Sequence, residues 1–165
     1  MVDTTRGYAQ RVDIGVDIEL VWRALLEPES LAHWYAPDAR VDAREGGIYS
    51  ARHGPDLLRE ARIDVFLPPR RLRLIYMPLP KLPDAGSVLV EDFLLDRDPA
   101  AARAKGIGAV TVLRLMGSGV PEINSWHSTY VALRQGWERA LPRLKVFLEK
   151  PAAPAAPEFM RPIEN

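Results

Sequence analysis

Residues 125–150 most limit the folds open to this chain. Trp126, Tyr130, Leu133, Trp137, Leu141, Leu144 and Leu148 recur at steps of three or four. That spacing is one apolar face of a long amphipathic helix. Such a face must be buried against another layer of structure. Pro142 lies inside the run and is expected to kink it.

The upstream segments supply the other layer, because most of them alternate. In residues 8–16, Val12, Ile14 and Val16 share one face while Arg11 and Asp13 take the other. Ala61, Ile63 and Val65 alternate with Arg62 and Asp64. Leu72, Leu74 and Tyr76 alternate with Arg71 and Arg73, after a double proline. Residues 41–44 read as a weak strand, and 48–52 as a strand after the Gly46–Gly47 turn. Residues 88–95 and 109–115 are strongly apolar strands. Two short helices interrupt the series. Asp17 is placed to cap the first, with Glu19 in its first turn and Val21, Ala24 and Leu25 on one face. Pro28 starts the second, which carries Leu31 and Trp34 and stops at Pro37. Residues 96–108 are long for a hairpin and read as a loop with a turn of helix.

This order predicts an α+β domain over residues 1–150. A curved antiparallel sheet of about six or seven strands wraps one long C-terminal helix, and two short helices follow the first strand. Residues 151–165 form a Pro/Ala-rich C-terminal tail with Phe159 and Met160 as its anchors. Those two could cover a groove of the same chain or pack on a second subunit, making a homodimer. A length of 165 residues, 47% hydrophobic and 27% charged, suits one globular domain. Twenty-two basic and 22 acidic residues cancel, which argues against a nucleic-acid partner. The N-terminal residues are polar, and no apolar run reaches the roughly 18 residues a bilayer requires. The expectation is a cytoplasmic protein without membrane insertion.

The chain resembles the START-like (SRPBCC, helix-grip) superfamily and, within it, the Aha1-like group named after the activator of Hsp90 ATPase. The resemblance rests on "VDIGVDIELVWRALLEPESLAHWYAP", "REGGIYS", "FLPPRRLRLIY", "AVTVLRL" and "GWERALPRLKVFLE", taken in that order across residues 12–149. It departs from the group's pattern in the long 96–108 connection, in Gly117 where many members carry histidine, in Pro142, and in the tail. The resemblance implies a cavity between sheet and long helix that holds a hydrophobic or amphipathic small molecule. Pockets of that kind are apolar with a few placed polar groups. Candidate walls are Trp34, Tyr35, Tyr49, Tyr76, Phe93, Trp126, Tyr130 and Trp137. Each alone could be ordinary core. As a cluster they suit a pocket, because buried Tyr and Trp each need a partner for a polar atom.

Possible polar groups are Glu91, Asp92 and His33. Glu91 and Asp92 are adjacent on one strand, so they face opposite sides. The inward one could orient a ligand or act as a base, or could simply pair with an arginine such as Arg73 or Arg114. Arg59, Arg62, Arg70, Arg71 and Arg73 read as a solvated sheet face. The absence of cysteine removes thiolate metal sites and thiol nucleophiles. His33, His53 and His127 lack metal-ligand spacing, and no Gly-x-Ser-x-Gly elbow is present. Residues 117–119 and 106–108 read as hairpin turns, not phosphate loops. Nothing in the chain calls for a cofactor or a metal. A binding module is favoured over two alternatives: a cyclase- or hydrolase-like enzyme in the same pocket, and a chaperone-associated interaction domain.

Overall fold

A computed structural model describes residues 4–78 and 87–150. The tail, with Phe159 and Met160, lies outside them. The described elements are β1 (Thr5–Ile14), α1 (Ile18–Leu26), α2 (Pro28–Trp34), β2 (Asp38–Val41), β3 (Ile48–Gly54), β4 (Leu57–Leu67), β5 (Arg71–Tyr76), β6 (Val90–Arg97), α3 (Pro99–Lys105), β7 (Thr111–Pro121) and α4 (Asn124–Glu149). The seven strands form one antiparallel sheet in the order β1-β7-β6-β5-β4-β3-β2. The first strand therefore pairs with the last, and the α1–α2 pair carries the chain to the opposite edge. Helix α4 packs chiefly on β1 and α2. The architecture is the expected α+β helix-grip.

Local chemistry accounts for the element ends. The Asp17 carboxylate accepts from the Glu19 amide at 3.4 Å and caps α1. Pro28 occupies the first turn of α2, where its missing N–H costs nothing. The 96–108 connection holds α3, capped by Asp98 accepting from the Ala101 amide at 3.0 Å and closed by Gly106 at φ 67°. Residues 106–108 are thus the end of a helix, not a hairpin turn.

Two further expectations fail for geometric reasons. Residues 117–119 lie inside β7. A β-bulge between Ile63 and Val65 inserts Asp64 into β4. One extra residue reverses the inward face. Phe66, not Val65, then reaches the core, meeting Trp22 edge-on with centroids 5.5 Å apart.

Ile14, Ile18, Leu25, Leu31, Ile63, Leu72, Leu74, Leu95, Leu113, Leu115 and Leu141 are fully buried around Phe93 and Trp137. Each such aliphatic side chain contributes on the order of 1.5–3 kcal/mol by leaving water. Of the α4 stripe, Trp137, Leu141 and Leu144 enter this core, while Tyr130, Leu133 and Leu148 are partly buried against it.

Candidate functional site

A charged group sits in the middle of this apolar core. Alternation along β6 turns Glu91, Phe93 and Leu95 inward and Asp92 outward, where Arg71 grips its carboxylate at 2.8 Å. Glu91 is 1% exposed. Its Oε2 accepts from Tyr8 Oη at 3.0 Å, Arg59 Nη2 at 2.9 Å and Trp137 Nε1 at 2.7 Å. Its Oε1 accepts from Tyr76 Oη at 2.6 Å. All four partners are donors, which matches a carboxylate, an acceptor-only group. They come from β1, β4, β5 and α4, so this one side chain ties helix to sheet.

The register explains how Tyr8 reaches it. Glu91 and Tyr8 both stand opposite Gly117, on either side of β7. The Tyr8 ring lies where a side chain at 117 would be. Glycine at 117 therefore makes room for the Tyr8–Glu91 bond.

Arg59 is 8% exposed and not part of a solvated face. Its parity is legible: Arg59, Ala61 and Ile63 are spaced by two, and the latter two point inward. Nη2 holds Glu91, Nη1 donates to Tyr35 Oη at 2.8 Å, and the guanidinium lies 4.2 Å from the Tyr76 ring centre. Burial by itself would lower its pKa, but the Glu91 carboxylate outweighs this and holds it well above the ordinary value. Burial pushes the Tyr8, Tyr49 and Tyr76 phenols well up, and Tyr35 up to about 12. These phenols stay protonated at neutral pH.

Above this network lies a cavity of ≈ 850 Å³, between the β3–β4 hairpin and α4. Its volume falls in the range of small-molecule sites. Tyr35 and Trp137 form the floor, stacked with centroids 4.8 Å apart and 14° between planes. Leu57 and Leu58 of the hairpin line it while remaining 45% and 36% exposed. The α4 wall includes Thr129, Ala132, Gly136 and Ala140, small residues at helical spacing. His53 stands at a bulge in β3, edge-on to Tyr35 at 4.7 Å, and its Nε2 is buried without a partner among the described residues. Burial, with Arg59 adding, lowers the His53 pKa.

Of the eight aromatic candidates, only Tyr35 and Trp137 line this cavity. Tyr76 lies behind them on Glu91, and Phe93 meets Trp137 edge-on at 5.6 Å. Trp34 and Tyr49 point inward and donate to the Ala24 and Leu25 carbonyls at 3.0 and 2.6 Å. Tyr130 donates to the Gly7 carbonyl at 3.0 Å, and Trp126 is buried outside the cavity lining. Among the polar candidates, Glu91 is buried beneath the floor and Asp92 is on the outer face. His33 is exposed and stacked on Phe147 at 4.8 Å. Arg59 reads in the sequence as solvent-facing, and neither His53 nor the small-residue face of α4 is assigned there to a pocket, yet all three line the cavity. The parity of β4 marks Arg59, and the 3–4 spacing of Thr129, Ala132, Gly136 and Ala140 marks the helix face. His53 carries no comparable signal.

Residues 16–88 match the family described as Activator of Hsp90 ATPase homolog 1-like protein. Structure extends the likeness over most of the chain. The solution structure of the Aha1 dimer from Colwellia psychrerythraea superposes with a TM-score of 0.66 at 16% identity, over 87% of this chain and 96% of that one. The fold is Aha1-like. Protein MLL2253 from Mesorhizobium loti superposes on this Aha1-like domain at TM-score 0.72 and 19% identity, over 87% of this chain and 97% of that one. CalU16 from Micromonospora echinospora does so at 0.64 and 22%, over 88% and 77%. At such identities the structural matches establish the fold alone. No curated protein matches the sequence. Among the described residues, no helix of the Aha1-like domain is long and apolar enough to cross a membrane.

Proposed function

We propose that this Aha1-like domain binds a hydrophobic or amphipathic small molecule in the cavity between the β3–β4 hairpin and α4. The observation that carries this reading is the cavity itself: ≈ 850 Å³, floored by the Tyr35–Trp137 stack and flanked by two leucines that remain partly in water. Exposed leucines at a cavity mouth gain by burial against an apolar guest.

Binding is favoured over chemistry by what the candidate acid–base groups already do. Glu91 is held by four donors beneath the floor. Asp92 is bound to Arg71 on the far face of the sheet. The Tyr35 phenol accepts from Arg59 and has a pKa pushed up to about 12, far above a neutral-pH base.

Gly136 provides a test that separates binding from folding. It sits within α4 on the cavity wall, and a Cβ there meets nothing within 4 Å. Gly136→Leu therefore adds four carbons to the cavity wall beside Trp137, with open space at its Cβ, and narrows the room left for a guest. Native mass spectrometry of the purified protein is expected to show a retained apolar or amphipathic molecule, or uptake of added N-phenyl-1-naphthylamine, in the parent and not in the variant. Equal occupancy in a folded Gly136→Leu protein, or a parent that neither retains nor takes up any guest, would overturn the proposal. The same spectra report subunit number, and so test whether this chain pairs as the Colwellia psychrerythraea protein does.

A further inference from the structure

The charges around the cavity point to a more specific guest. Four arginines line it, Arg52, Arg59, Arg139 and Arg143, against one carboxylate, Asp56. Arg59 is committed to Glu91. The other three are exposed, and among the described residues none of them forms an ion pair. Among the described residues, Arg52 makes only a 3.5 Å contact with the Pro55 carbonyl. Arg139 and Arg143 are four residues apart on α4, so their guanidinium groups rise from the same helix face. Elsewhere in this protein arginines usually have a partner: Arg11, Arg23, Arg44, Arg70, Arg71, Arg97, Arg114 and Arg134 are all within 4.0 Å of a carboxylate. Like charges at i,i+4 repel, so leaving Arg139 and Arg143 together costs stability unless something anionic sits between them.

We infer that the guest is an amphiphile with a flat or chain-like apolar body and one anionic head group, a carboxylate, sulfonate or sulfate, held at the rim by Arg139, Arg143 and Arg52. This deepens the cavity-binding proposal and rests on it. The body lies over the Tyr35–Trp137 stack beneath Leu57 and Leu58. The head stays at the wet rim, where each guanidinium can donate two hydrogen bonds to two oxygens of one oxyanion. Arg59 takes no part in head recognition, because it is buried and its charge is already paired with Glu91.

Two fluorescent probes that differ only in the head test this. 8-Anilinonaphthalene-1-sulfonate is N-phenyl-1-naphthylamine with a sulfonate added. The parent protein should bind the sulfonate on the order of tenfold tighter than the neutral amine at low salt, since each exposed ion pair is weak and several act together. At about 0.5 M salt the gap should shrink through screening. Arg139→Gln/Arg143→Gln should bring the two affinities together and leave the amine unchanged. Gly136→Leu should abolish both. Equal binding of the probes by the parent, or a gap that survives the double substitution, would overturn the head-group assignment and leave the cavity reading standing. Sulfonate binding that survives Gly136→Leu would place the anion elsewhere and overturn the assignment. Binding of neither probe would overturn both.

Discussion

Replacing Glu91 with glutamine tests whether the buried network carries a real charge pair. Glutamine has nearly the same shape, and its one oxygen can keep Tyr8 and Trp137, with the amide nitrogen turned toward the Tyr76 hydroxyl, which can accept. What it removes is the charge opposite Arg59, which is 8% exposed and, among the described residues, has no other carboxylate within ion-pair distance. Removing one member of a buried ion pair costs about 3–5 kcal/mol, because the remaining charge stays desolvated and unpaired. For a chain of this size each kcal/mol lowers the melting temperature by about 2–4 °C, so Glu91→Gln should lower it by about 6–20 °C. Guanidinium-chloride unfolding read by far-UV circular dichroism measures the loss directly. Adding Arg59→Met to Glu91→Gln removes the orphaned charge and should recover part of it, giving a favourable coupling in the double-mutant cycle. A Glu91→Gln protein within about 1 kcal/mol of the parent, or a double variant less stable than the single one, would refute the reasoning.

Three other outcomes follow from particular contacts. Gly117→Ala forces the Tyr8 ring aside and should cost about 1–3 kcal/mol in denaturant unfolding. Tyr8→Phe should then add little to that variant, though alone it costs about 1.5–3 kcal/mol by leaving Glu91 one donor short. Gly136→Ala should stabilise the protein by about 1 kcal/mol, since alanine is the better helix former and its methyl meets open space, and a thermal melt reads the gain. The pH dependence centres on His53, whose folded pKa is lowered. The unfolded chain then binds more protons just below the ordinary histidine value of about 6.5, so stability falls as the pH drops through 6.5 toward the folded value. Unfolding titrations at about pH 7.5, 6 and 5 should show this slope, and His53→Gln should flatten it.

Local sequence determined most of the fold. Strand alternation, the Asp17 cap, Pro28 and the 3–4 stripe of α4 are properties of neighbouring residues, and neighbours in sequence set them. The period of two also determined that Glu91 and Asp92 part to opposite faces, and it marks Arg59 as inward once Ala61 and Ile63 are taken as core. The Asp64 bulge was not legible, because one inserted residue is a matter of pairing with β5, not of β4 alone. Only the tertiary structure decided which inward groups meet. Tyr8, Arg59, Tyr76, Glu91 and Trp137 are spread along most of the chain, and the registers of five strands and the packing of α4 bring them within hydrogen-bond distance. The same holds for the cavity. The apolar stripe of α4 announces its core face, but the open space lies beside a second stripe of small residues. Small residues leave volume empty only where the opposing element, here the β3–β4 hairpin, does not close down on them.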